Sequence, residues 1–288
     1  MKVLVTGATG NVGGRVVERL LAQGVRPRVF MRDPDKARAR FGDRVEVAIG
    51  DLADARSLGD ALSGVGRLFL VNSGPGLEVR DAAAAEVAKR AGVEVLVKLS
   101  SMDVEQQVGT GLWHARGEAA IRASGIGFTF VEPSGFMDNA LFWSRSIEAE
   151  GLVRSSTGDG CIGFIHSDDI ADVATKALTT RDYLGESLPL SGPDALSYAE
   201  MAAKIGRAIG KTIAYELISD EQAGRALAAV GENQAMVEAH LSIFRAIREG
   251  RLASVTRNVE RVLGRPAISF DRWVEENLGA FSARAAHG

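Results

Sequence analysis

Sulfur and imidazole are scarce in this chain: its 288 residues include one cysteine and four histidines. Cys161 cannot close an internal disulfide and reads as a packing residue rather than a nucleophile. His114, His166, His240 and His287 lie far apart, and none stands at metal-ligand spacing with a cysteine or carboxylate. No metal centre is expected. There is no Gly-x-Ser-x-Gly elbow, which removes one common hydrolase arrangement. The formal charge is only −3 and no lysine/arginine run occurs, so neither nucleic acid nor an anionic membrane is an expected partner. No apolar run approaches the ~20 residues of a membrane helix. Glycines break the opening apolar stretch too early for a secretory signal. A cytoplasmic, reducing setting is the expectation.

What the chain does carry begins at once. Val3-Leu4-Val5-Thr6-Gly7-Ala8-Thr9-Gly10-Asn11-Val12-Gly13 runs from a β-branched strand through a glycine turn into an amphipathic helix. A dinucleotide needs that order. Gly7 permits the sharp turn, Gly10 leaves backbone bare for a pyrophosphate, and Gly13 lets the helix lie close on the sheet. Thr9, Asn11 and Val12 complete the turn, whose N–H groups and dipole face the phosphates. Val12, Val16 and Leu20 share the apolar face, and Gly24 ends the helix.

Further apolar strands follow at Arg28–Met31, Val45–Ile49, Leu68–Val71, Val95–Leu99 and Phe128–Val131, with helices between them such as Val79–Ala91 and His114–Ser124. Near-continuous apolar strands alternating with helices imply a parallel sheet covered on both faces. Ligands then gather beyond the carboxyl strand ends, so Thr6, Arg32, Asp51, Asn72, Ser100 and Pro133 share one rim. Arg32 lies where the adenosine ribose is expected, and a guanidinium there favours a 2′-phosphate. NADP(H) is preferred on that ground, while the adjacent Asp33 keeps NAD(H) open. Asp51, beside Leu52, either accepts from the adenine amino group or caps the next helix.

Beyond Pro133, Phe136, Met137, Leu141, Phe142 and Trp143 predict a helix that is either core or a substrate wall. Phe164-Ile165-His166 predicts a strand, with Ser167 or Asp168 capping the helix after it and His166 structural. Ser187–Leu190 reads as an edge strand that tolerates Pro189. Helices are expected at Tyr198–Ile209, Asp220–Val230, Gln234–Arg248 and Phe270–Leu278, with a short strand at Ile213–Leu217. The expected architecture is a Rossmann doubly wound parallel sheet over residues 1–192, of which 133–160 contribute to the substrate pocket. A smaller, mostly helical substrate lid covers 193–288.

With Thr6–Gly13, Arg32-Asp33-Pro34 and Gly50-Asp51-Leu52, the chain resembles an atypical short-chain dehydrogenase/reductase. More narrowly it is similar to the NmrA-like NAD(P)-binding group. Pro133–Asn139, Asp169–Ala174 and Leu190–Ser197 carry the likeness over most of its length. The resemblance implies NADPH-dependent quinone or triphenylmethane-dye reduction, isoflavone-type reduction, action on an aromatic polyketide, or a redox sensor that binds cofactor without turnover. An oxygen-dependent oxidation of an aromatic polyketide is a further variant. Active short-chain reductases carry Tyr-x-x-x-Lys, whereas here Trp113 and Gly117 stand at those places. Glu132 stands where relatives often carry arginine.

Loss of a positioned acid disfavours simple alcohol dehydrogenation, and acceptors that delocalise the incoming charge need less help. Ser101 and His114 are the catalytic candidates, each with a structural alternative: a helix cap for Ser101 and a solvent-facing helix start for His114. Lys98 is expected to snorkel to an edge. Trp113, Phe136, Met137, Phe142 and Trp143 are the pocket-wall candidates for a small apolar aromatic substrate. A monomer or homodimer is expected.

Overall fold

The computed structural model describes residues 1–281. Strand and helix alternate from the start: Val3–Thr6 (β1), Asn11–Ala22 (α1), Arg28–Met31 (β2), Pro34–Phe41 (α2), Glu46–Ile49 (β3) and Ala55–Ala61 (α3). Arg67–Leu70 (β4), Leu77–Arg90 (α4), Val95–Leu99 (β5), the single turn Asp103–Gln106 (α5), Gly111–Ser124 (α6) and Gly127–Pro133 (β6) continue the pattern. Next come Ser144–Glu150 (α7), Leu152–Ser155 (β7), Cys161–Ile162 (β8), Ser167–Thr179 (α8), Ser187–Leu190 (β9), Leu196–Ser197 (β10), Tyr198–Ile209 (α9) and Ala214–Leu217 (β11). The helices Asp220–Ala229 (α10), Gln234–Arg248 (α11), Asn258–Leu263 (α12) and Phe270–Glu276 (α13) complete it.

Among the described residues, seven strands form one sheet in the order β3-β2-β1-β4-β5-β6-β9, every pair parallel. This is the doubly wound Rossmann arrangement, with the order reversing beside β1. Alternation along the strands divides the apolar side chains between two faces. Val3, Val5, Val95 and Val97 pack with Val12, Val16 and Leu20 of α1 and with α8. Leu4, Leu68, Leu70 and Leu96 pack against α4 and α6 on the other face. Pro189 sits in β9 at the sheet edge, where its missing N–H breaks no ladder.

A third apolar core joins Met137, Ile147, Val153, Ile162 and Phe164 to Tyr198, Met201, Ile205, Ile247, Trp273 and Phe281. This second lobe thus draws on residues 137–164 as well as the C-terminal helices. A parallel pairing of β7 with β11 ties these stretches together. Residues Val259 and Val262 of α12 return instead to the core beneath α8.

Several local expectations are corrected. Met137–Trp143 is a run of 3-10 turns that passes into α7, rather than one α-helix. Phe164–His166 forms no strand; Ile165 makes a single parallel bridge with Phe136, and the nearby strand is β8, paired antiparallel with β10. The cap of α8 is His166, whose Nδ1 accepts from the Asp168 N–H at 3.0 Å, so neither Ser167 nor Asp168 is needed there. A ring nitrogen at that position satisfies the same orphan donor as a carboxylate would. His287 lies outside the described residues.

Candidate active site

The turn after β1 is built from bare backbone. Gly7 has φ +60°, and a Cβ on Gly13 would stand 2.2 Å from the Gly7 carbonyl oxygen. Only glycine allows the start of α1 to come this close. The helices α2, α3, α9, α10, α11 and α13 have side-chain caps from Asp33, Asp54, Ser197, Ser219, Asn233 and Ser269. The start of α1 has no side-chain cap and no acid in its first turn. α6 and α7 lack both as well, but α1 is the helix that starts at the glycine turn, where its N–H groups and positive dipole end fit a pyrophosphate.

A cleft of about 650 Å³ opens in front of this turn. Gly7, Thr9, Gly10, Arg32, Asp51, Leu52 and Asn72 line it, as do Thr6, Asp33, Lys36 and Arg80. Asn11, Val12, Gly13, Ser100 and Pro133 do not line it. Val12 turns its side chain into the core, and Asn11 donates to Asp138 Oδ2 at 2.9 Å and to Ser167 Oγ at 2.8 Å. Asp138 also accepts from Ser167 Oγ and, at 3.2 Å, from Trp273 Nε1. Burial alone would raise the Asp138 carboxyl, but these donors outweigh it and hold the group below the ordinary carboxylate range. The glycine turn is thereby fastened to both α8 and α13.

At the ribose end, Asp33 is committed to α2, its Oδ1 accepting from the Asp35 N–H at 3.0 Å. Arg32 is left 82% exposed at the cleft, with its nearest acid, Asp51, at 3.8 Å. Asp51 itself accepts from the Ala53 N–H, and the cap of α3 is Asp54. At the other end, Arg80 donates to Asn72 Oδ1 and to the carbonyls of Ser73 and Pro75, fixing the loop after β4.

Behind that loop lies a buried polar chain. Asn72 Nδ2 donates to Asp81 Oδ1 at 3.0 Å, Asp81 Oδ2 stands 2.7 Å from Lys98 Nζ, and Lys98 Nζ is 3.0 Å from His114 Nδ1. Lys98 and Asp81 are fully buried, so Lys98 does not snorkel. Its partner sits on α4 in space that Gly117 leaves open: a Cβ on Gly117 would meet Asp81 Oδ2 at 2.4 Å. His114 is only 7% exposed. Burial and then the Lys98 charge push its pKa down to about 3. The imidazole is neutral at pH 7, and an ammonium can only donate to Nδ1, so the ring proton resides on Nε2. His114 is thus a buried N–H donor and does not face solvent.

Ser101 Oγ accepts from the Asp103 N–H at 3.1 Å and turns the chain into α5. Met137 lies in the core of the second lobe, Trp143 packs on Tyr198 at 4.9 Å between ring centroids, and Phe142 is 86% exposed. Trp113 and Phe136 are partly buried. Glu132 and Ser100 meet other partners, described below. Among the described residues no helix is long and apolar enough to cross a membrane, and no group of three His, Cys, Asp or Glu is placed to hold a metal.

A parallel sheet of this order with a glycine cradle at its switch point is a dinucleotide-binding arrangement, and the similar proteins named below make the chain an NAD(P)H-dependent oxidoreductase. The chain belongs to the NAD(P)H-binding family, whose model matches residues 7–181. It is 38% identical over 283 residues to a (4-alkanoyl-5-oxo-2,5-dihydrofuran-3-yl)methyl phosphate reductase of Streptomyces griseus, covering 97% of this chain and 99% of that one. It is 34% identical over 285 residues to an NAD(P)H azoreductase of Xenophilus azovorans, covering 98% and 99%. Among solved structures it superposes on the NADPH complex of an Escherichia coli quinone oxidoreductase with TM-score 0.86, at 25% identity and 96% and 99% coverage.

Proposed function

We propose that the chain reduces an apolar, conjugated acceptor such as a quinone, an azo compound or an unsaturated ketone, with NADPH preferred over NADH. The observation that carries this reading is the packing at Gly117. The place where a short-chain reductase resembling this one keeps its lysine is filled by Asp81, and Lys98 is spent on that carboxylate. Trp113 holds the tyrosine place with no exchangeable acidic proton. Acceptors that spread the incoming charge over a conjugated system tolerate this loss; an isolated ketone does not. The two similar reductases carry conjugated acceptors in their names, a dihydrofuranone and an azo compound.

When bound, NADPH supplies the hydride. The protein holds the acceptor close and aligned, which alone is worth several kcal/mol of barrier. Ser101 and His114 are assigned as hydrogen-bond donors to the acceptor, His114 through its neutral Nε2–H, which is a form of oxyanion stabilisation. Trp113 and Phe136 are assigned to the apolar wall. Mixing the purified protein with NADPH and a panel of quinones, azo compounds and simple ketones should give cofactor oxidation with the first two only. Turnover of simple ketones at comparable rates would defeat the reading.

The cofactor preference rests on Arg32 and Lys36 with Asp33 diverted to its helix cap. Arg32→Ala is expected to weaken NADPH binding about tenfold while changing NADH binding less than about twofold, one charge-assisted contact being worth 1.5–3 kcal/mol at most. Calorimetric titration with each dinucleotide checks it.

A further inference from the structure

Reducing a quinone or an azo bond takes one proton for each hydride, and the tyrosine that would supply it is absent. The geometry points to a replacement: Glu118 and Glu132 hold a proton between them behind the sheet and pass it to the acceptor through Ser100. This rests on the reductase reading given above.

Ser100 lies at the carboxyl end of β5, and its Oγ stands 2.5 Å from Glu118 Oε1. Glu118 is 1% exposed, on α6. Glu132, on β6, lines the same cleft as Glu118, and the bond from the Ser100 N–H to the Val131 carbonyl at 2.7 Å sets Ser100 beside it in the sheet. Two buried carboxyl groups lining one small cleft do not both ionise readily, so one retains a proton. Burial pushes both carboxyls up, Glu132 to about 7 with Glu118 adding to the rise and Ser187 opposing it. Arg122 on α6, donating to Glu118 Oε2 at 3.3 Å, keeps the other charge in place, and Lys98 of β5 acts in the same direction on Glu118. Glu105 of α5 also borders the space. A cleft of about 340 Å³, lined by Glu105, Glu118, Arg122, Glu132 and Ser187, gives water a way to these groups.

The step balances simply. The acceptor takes the hydride pair and its oxygen or nitrogen becomes anionic. The Ser100 O–H bond breaks toward that atom while a carboxyl O–H of the glutamate pair breaks toward Ser100 Oγ. The pair is left doubly ionised and regains its proton from water in the rear cleft. Glu118 and Glu132 touch no reacting atom and act through Ser100.

A cationic triphenylmethane dye provides the control, because a carbocation takes hydride and needs no proton. Glu132→Gln keeps the size of the side chain and removes its labile proton. The ratio of quinone to dye turnover is expected to fall about 10- to 100-fold in Glu132→Gln and in Glu118→Gln, the range of a lost proton donor at its lower end. In the unaltered protein, quinone kcat should hold below about pH 7 and fall above it as the pair ionises, and Glu132→Gln should abolish that limb. Independently of turnover, infrared difference spectra of the cofactor-free protein should show a protonated carboxyl band that titrates near neutrality and disappears in Glu132→Gln. Equal loss with quinone and dye, or an unchanged pH profile, overturns the relay alone. A protein that binds NADPH but reduces neither acceptor overturns the reductase reading and the relay with it.

Discussion

Replacing Lys98 with methionine is expected to cost about 3–5 kcal/mol of folding stability, the range found when one partner of a buried ion pair is removed. The Lys98 ammonium and the Asp81 carboxylate are fully buried and 2.7 Å apart. Without the ammonium, Asp81 keeps only the amide of Asn72 as a donor and must ionise in apolar surroundings or take up a proton. The double variant Lys98→Met/Asp81→Asn should recover most of the loss, because a neutral pair carries no desolvated charge. Urea denaturation of the four proteins of this cycle measures the coupling. A single variant within about 1 kcal/mol of the parent would mean that water reaches the pair and that it is no buried ion pair at all. A second readout follows from His114. With no ammonium facing Nδ1, the imidazole is free to change tautomer, and nitrogen-15 spectra of the ring should register the change.

Gly13→Ala is expected to weaken dinucleotide binding by about 100-fold or more and to lower stability by about 1–3 kcal/mol, as overpacking does. The added methyl would lie 2.2 Å from the Gly7 oxygen and 2.7 Å from its carbonyl carbon. Both contacts are to backbone, so no side chain can yield. The start of α1 must move off the turn, taking its unpaired N–H groups out of line with the phosphates. Gly24→Ala provides the contrast, since nothing lies within 4 Å of a Cβ there and only its φ of +75° is strained. Its loss should be confined to stability. Titration calorimetry and thermal unfolding separate the two effects, and unchanged NADPH affinity in Gly13→Ala would refute the assignment of the cradle.

The sheet could be read from the chain because a parallel strand buried on both faces leaves a run of Val, Ile, Leu and Phe that few other elements produce. Arg28–Met31, Val95–Leu99 and the helix Gln234–Arg248 match to the residue. Those signals are local. Other features depend on partners far along the chain. Lys98 within an apolar strand gives no hint that Asp81 will stand opposite it, since the space for that carboxylate is provided by the absence of a side chain at Gly117. The sequence signal was the pair of anomalies taken together, a lysine mid-strand and a glycine mid-helix, and neither alone decides anything. Strand β7, with its half-exposed alternation, gives no clear signal of its own, because its partner β11 lies 62 residues further on (Leu152 opposite Ala214).

Residues 136–143 show a different limit. An α-helix there is expected to gather the large apolar side chains on one wall, but in 3-10 turns every third residue shares a face. Met137, Ala140 and Trp143 therefore turn together toward the third apolar core, while Phe142, one position off that line, faces solvent. In the sequence Glu132 stands out only for the arginine it displaces. That it shares a cleft with Glu118 comes from β6 and α6 lying side by side, which periodicity does not reveal.

The core shared by residues 137–164 and 196–281 bears on how a ribosome delivers this enzyme. When β6 emerges, the central strands β1 to β6 are already available to associate. The lobe above them cannot consolidate until β11 and α13 have left the exit tunnel. Through that interval Met137, Ile147 and Val153 have no counterpart to cover them, so greasy surface is presented to chaperones and to neighbouring nascent chains. Slow synthesis across the last third should therefore harm the yield of active enzyme more than an equal delay within the first.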